Sequence, residues 1–168
     1  MPAGTTSFYF RTRQALLQGA AERLTELDVE DLSRLGELAD GGATEFQGTA
    51  GLARMVMYSA TEPWLTRSKA RYELVLQASR DAELSATLQR SVDVFFGMAR
   101  DVVAHWNSGD TDIDPELLEE QAVTAFTYIN GVMLTFVAGS PVVEDAEHLH
   151  LLIDAILDGV ARKRRDQP

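Results

Sequence analysis

An all-α fold is predicted by three features of the sequence. Apolar residues recur at steps of three and four along most of the chain. Residues that start and stop helices punctuate these stretches at helix-sized intervals. No alternating apolar and polar run bounded by turn residues marks a strand.

The elements follow in order. Pro2 to Ser7 opens a short helix, and Thr12 stands where an N-cap starts a longer one carrying Leu16, Leu17, Ala20, Leu24 and Leu27. An interruption is expected at Asp28 or Asp31, before Leu38. Gly41 and Gly42 make a helix stop, and Thr44 with Gln47 has the spacing of a capping box for the next helix, which carries Leu52, Met55, Val56 and Tyr58. Pro63 breaks the pattern. A helix with Tyr72, Leu74, Val75 and Leu76 follows, and Asp81 caps its successor, whose stripe Leu84, Leu88, Val92, Phe95, Ala99, Val102 and Trp106 is the clearest in the chain. That helix ends at Asn107-Ser108-Gly109. Asp114-Pro115-Glu116 supplies a cap, a first-turn proline and a carboxylate matched to the helix dipole, starting a helix that runs to about Phe136. Gly139-Ser140-Pro141 stops it. The last helix, from about Glu144 to Ala161, carries Leu149, Leu152, Ile153, Ile156, Leu157 and Val160.

Composition narrows the function classes. With 15 Lys and Arg against 26 Asp and Glu the net charge is −11, so affinity for nucleic acid has to come from a small local cluster of cations rather than from the whole body. The chain has no cysteine, which removes disulfides, thiolate nucleophiles and cysteine-bound zinc, and fits a cytoplasmic location. No apolar run reaches the roughly 20 residues of a membrane helix, and no membrane partner is expected.

Chemistry-bearing motifs fail one by one. Asp110, Asp112 and Asp114 alternate like the start of a calcium loop, but its sixth position is Pro115 and its twelfth Gln121, where glycine and glutamate are required. Glu147 and His150 have the spacing of a di-iron ligand pair without a second copy. Phosphate-binding glycine loops, nucleophile elbows and zinc-protease motifs are missing. No enzyme activity, cofactor or metal is expected. The basic tail Arg162 to Arg165 suits the negative end of a helix dipole.

The run from Gly4 to Leu17 resembles the end of the helix-turn-helix of the TetR family of transcriptional regulators. Gly4, Thr5, Tyr9, Phe10, Arg13 and Leu16 match the family's pattern, while Ser7 stands where many members have tyrosine. The resemblance implies a TetR-like helical bundle. Residues 1–13 would be the remnant of the DNA-reading head, and residues 14–168 the effector-binding and dimerisation domain. It implies DNA contacts from Gly4, Thr5, Thr6, Tyr9 and Arg13. A phosphate at Arg13 also makes physical sense, because a cation in the first turn of a helix is disfavoured unless an anion is near. Met1 falls inside the motif, so two helices that support the recognition helix are expected to be missing, either through an internal start or through a shortened protein. Sequence-specific DNA binding is then not expected of this sequence alone.

Two further expectations come from the same resemblance. The helix from Glu116 to Val137 is apolar around more of its circumference than one buried stripe demands. In this family the last two helices pair across a two-fold axis, which implies a homodimer interface of Phe126, Ile129, Met133, Leu149, Leu152, Ile153 and Ile156. The aromatic and methionine residues of the middle helices are mainly core. Family placement marks Met55, Tyr58, Trp64, Tyr72, Phe95, Phe96, Trp106 and Phe126 as walls of a pocket for a small hydrophobic or amphipathic effector, with Arg71 either orienting an anionic ligand or pairing on the surface. The function implied is a ligand-responsive regulator, a repressor acting on a DNA operator. The alternative is a dimeric small-molecule-binding or interaction module that does not touch DNA.

Overall fold

The Thr12 side chain accepts a hydrogen bond from the Ala15 amide at 3.0 Å, and this cap opens the first helix of the computed structural model. Residues 12–40, 48–107 and 114–165 are described. They form α1 (Arg13–Asp40), α2 (Gly48–Tyr58), α3 (Trp64–Ala78), α4 (Ala82–Trp106), α5 (Pro115–Val137) and α6 (Ala146–Arg165), with no strand among the described residues. No described helix is long and apolar enough to cross a membrane.

Several helix ends follow the expected chemistry. Asp81 accepts from the amides of Glu83 and Leu84, each at 3.1 Å, to start α4. Asp114 accepts from Glu116 N at 3.0 Å with Pro115 in the first turn of α5. Gly139, at φ 73°, reverses the chain after α5, which lets Ser140 N bond Thr135 O at 2.9 Å. The last helix starts later and ends later than expected. Asp145 caps it through His148 N at 2.8 Å, and the basic tail continues the helix to Arg165. The proposed stop at Gly41-Gly42 and the capping box at Thr44 and Gln47 lie outside the described residues, as does the short helix from Pro2.

Two expectations are corrected. α1 runs without a break past Asp28 and Asp31, whose carboxylates reach across to Arg71 and Arg67 of α3. On α4 the buried stripe is Leu84, Thr87, Leu88, Ser91, Ala99 and Val103. Val92, included in the expected stripe, is 38% exposed, while Ser91 is buried and shares a hydrogen bond with Thr25 of α1 at 2.7 Å. A hydroxyl pair sits where an apolar contact was expected.

α4 is the central helix and packs against α1, α2, α3 and α5. Its two halves serve two cores. The C-terminal half joins α2, α5 and α6 around Leu52, Val56, Val103, Ile129, Phe136, Leu149, Ile153 and Leu157. The N-terminal half joins α1 and α3 around a smaller set: Ala21, Leu74, Leu84 and Leu88.

Candidate functional site

The eight residues expected to wall a pocket are brought together in small groups. Met55, Phe96 and Trp106 are half-buried against the larger core. Phe96 meets Phe126 edge-on with ring centroids 5.5 Å apart, and the Arg100 guanidinium lies 4.6 Å above the Phe96 ring while forming a two-pronged contact with Glu119. Tyr58 and Trp64 pair at the α2–α3 corner, 5.9 Å apart, and both remain substantially exposed. Tyr72 reaches from α3 to α5, donating to Asn130 O at 2.9 Å; burial pushes its hydroxyl pKa up. Phe95 lies 5.3 Å beneath the Arg71 guanidinium.

Between these aromatic groups runs a line of charge along the α1–α3 seam. Arg71 donates to Asp28, and Arg67 donates to Asp31 at 2.6 Å. Trp64 Nε1 donates to the same Asp31 oxygen at 2.9 Å. Asp28 is only 8% exposed, and burial pushes its pKa up against the opposing pull of Arg71. Asp28 Oδ2 and Arg71 Nε are buried without a hydrogen-bond partner among the described residues. Arg71 is thus paired with a buried carboxylate, itself remaining partly exposed. The matched spacing of Asp28 and Asp31 against Arg67 and Arg71 was the available sequence signal. Reading it requires knowing that α1 and α3 lie side by side.

The same seam opens into a groove of about 630 Å³. Leu16, Leu17, Leu24 and Leu27 of α1 face Ala70, Leu74 and Leu76 of α3, with Arg13, Arg23, Glu73 and Gln77 also lining it. None of the eight expected pocket residues lines this groove. Arg13, the described member of the proposed DNA-contacting set, donates to Gln77 Oε1 at 3.4 Å; Gly4, Thr5, Thr6 and Tyr9 lie outside the described residues.

The expected dimer residues separate by burial. Ile129, Leu149 and Ile153 are buried in the chain's own core, with Leu149 at 0% and Ile153 at 1% exposure, so they have almost no surface to offer another copy. Phe126, Met133, Leu152 and Ile156 are half-buried. The large apolar residues that α5 and α6 do expose are Val123, Leu134 and Leu151, none of which is among the expected positions.

Polar contacts fix α6 to its neighbours. Thr49 of α2 donates to Asp154 Oδ1 at 2.7 Å and lies 3.0 Å from His150 Nδ1, so His150 is occupied in a helix contact. Gln121, fully buried, donates to Leu157 O at 3.0 Å and accepts from Asn107 at the end of α4. Arg164 contacts Asp114, Glu116 and Glu120 at the start of α5, a partner for the basic tail beyond its own helix dipole. No cluster of metal-ligating side chains occurs among the described residues.

The larger core, from Leu52 to Leu157, lies within the span of a family match. A family model described as Tetracyclin repressor-like, C-terminal domain, matches residues 43–162, from before α2 to within the last turn of α6. No curated protein and no solved structure matches the chain. With well over half of its length covered by that model, the chain belongs to the TetR family.

Proposed function

We propose that the chain is the effector-binding and dimerisation part of a ligand-responsive transcriptional regulator, acting as a repressor in the cytoplasm. The observation that carries this reading is the match of a regulator-family C-terminal domain to residues 43–162, joined in sequence to a segment patterned like the end of a helix-turn-helix. DNA would be contacted through Gly4, Thr5, Thr6, Tyr9 and Arg13 in a form carrying the whole reading head. The negative body, at net charge −11, leaves attraction to DNA to that head alone. A small apolar or amphipathic effector held by the middle helices would bias the spacing of two heads, a coupling typically worth about 1–3 kcal/mol.

Two copies would pair through α5 and α6. Val123, Leu134 and Leu151 leave these helices with exposed apolar surface, and a two-fold axis would cover both copies at once. Light scattering on the wild type and on Leu151→Asp tests this. A wild-type dimer that dissociates in the variant, with helical content unchanged, is expected. A monodisperse wild-type monomer at micromolar concentration would remove the dimer from the proposal. For the effector, thermal-shift screening with apolar and charged compounds is expected to give stabilisation by apolar ones, diminished in Phe96→Ala. Stabilisation by ions alone would argue against the aromatic pocket.

A further inference from the structure

The α1–α3 groove leads to a contact that is only half made. Its lining runs through Leu17, Ala20, Leu24 and Leu27 on α1 and through Leu74 and Ala70 on α3. Asp28 follows Leu24 by four residues and Arg71 precedes Leu74 by three, so the two continue the lining faces by one turn. Arg71 Nη2 donates to Asp28 Oδ1, whereas Arg71 Nε and Asp28 Oδ2 are buried with no partner among the described residues. A carboxylate and a guanidinium can form two parallel bonds, and here one donor and one acceptor are left over. Leaving such atoms unpaired out of water is unfavourable, so a group that bonds both at once gains from doing so.

Charge decides which group fits. Asp28 and Asp31 face Arg71 and Arg67, so these four charges balance one another. A carboxylate could accept from Nε, but it has no proton to donate to Oδ2 and would lie against Asp28. An ammonium could donate to Oδ2, but it cannot accept from Nε and would lie against Arg71. A primary amide or a hydroxyl does both and carries no charge.

We propose that the α1–α3 groove binds a small amphipathic molecule with a neutral head, an alkyl amide or alcohol. The head completes the Asp28–Arg71 contact and the tail lies along the leucines. This site goes beyond the effector reading above, because no residue of the aromatic pocket lines the groove.

Calorimetric titration of the full chain with octanamide, octanoate and octylammonium compares three heads on one tail. Octanamide should bind more tightly than either ion by about tenfold at neutral pH. Ala20→Phe, at an exposed lining position, fills the groove and should weaken octanamide binding by about tenfold, whereas Phe96→Ala should leave it unchanged. The double variant Asp28→Leu/Arg71→Met removes the leftover donor and acceptor together without stranding a charge, and should abolish the preference for the amide. An absence of octanamide binding overturns the proposal, and that result requires no variant to fold. Octanoate bound as tightly as octanamide overturns it too, since the head would then lie at Arg13 or Arg23 of the lining. So does octylammonium bound as tightly. A loss of binding in Phe96→Ala but not in Ala20→Phe would place the ligand in the aromatic pocket, overturning this site while leaving the effector reading intact.

Discussion

The two halves of α4 face different kinds of neighbour. Its C-terminal half enters a core in which Leu149, Ile153 and Leu157 recur every four residues at no more than 1% exposure, and the buried polar group there, Gln121, has both ends of its amide bonded. Its N-terminal half enters a layer with, among the described residues, four buried apolar residues, two side-chain hydroxyl or amide bonds to α1 and an ion pair with two unpartnered atoms. One helix therefore joins a fully satisfied core to a partly satisfied one. Local opening follows sparse apolar contact and incomplete polar bonding, so the α1–α3 layer should respond to perturbation before the α2–α5–α6 core does.

The largest effect should come from breaking the satisfied half. Ile153→Asp places a carboxylate among Leu149, Leu157 and Ile129, with no cation among its described core neighbours. The expected loss is about 4–5 kcal/mol, a large fraction of an ordinary domain's stability. Thermal melting followed by circular dichroism should show the whole chain unfolding. Survival of the core with only α6 frayed would mean that the two halves are less distinct than their packing indicates.

A matched pair of truncations compares the halves directly. Leu149 and Leu84 are almost equally buried, at 0% and 1%, but Leu149 lies in the larger cluster and Leu84 in the smaller. Leu149→Ala should cost about 3–5 kcal/mol and Leu84→Ala about 2–3 kcal/mol, because a thin layer closes more readily around the space left behind. Urea unfolding of the two variants measures the difference. Equal losses would mean that the two layers close around a cavity equally well.

Much of the larger core was legible in the sequence, because its rules are local. Asp114-Pro115-Glu116 and Gly139 each act within a few residues, and the α6 stripe is visible as a step of four. What the sequence concealed depends on which helices become neighbours. Asp28 and Asp31 look like helix breakers until the arginines 43 and 36 residues away are seen to meet them. Ser91 looks like a solvent position until Thr25 is placed against it. Periodicity marks α5 as apolar on more than one face. It does not tell which residues the chain buries in its own core: Ile153 is 1% exposed, whereas Leu151 is 59% exposed.

A smaller effect is expected at the joint between α5 and α6. Gly139 has φ 73°, and a Cβ there would meet nothing within 4 Å, so the penalty for Gly139→Ala comes from the backbone alone. About 1–2 kcal/mol is the usual size of that penalty. Denaturation should show this loss without a change in oligomeric state. A loss as large as that of Leu149→Ala would show the joint to be part of the core rather than a hinge beside it.

The smallest effect is one of sign, and it separates a buried carboxylate from an exposed one. Asp28 has its pKa raised above 3.8 by burial, opposed by Arg71 and Arg67 and assisted by the neighbouring Asp31. Folded chains then hold the proton more tightly than unfolded ones, so this group's contribution is greatest at low pH and is lost as pH rises from 3.8 through the raised value. Glu119 is exposed, and its hydrogen bond from Arg100 lowers its pKa below 4.5. Its contribution is present above 4.5 and is lost as pH falls through the lowered value. The stability difference between wild type and Asp28→Asn should therefore move in the wild type's favour as pH falls toward 3.8, while that between wild type and Glu119→Gln moves against it as pH falls below 4.5. Denaturant titrations at several pH values read both slopes. Slopes of the same sign would mean that Arg71 holds Asp28 as an ordinary satisfied ion pair, and the contrast between the two halves of α4 would lose its electrostatic basis.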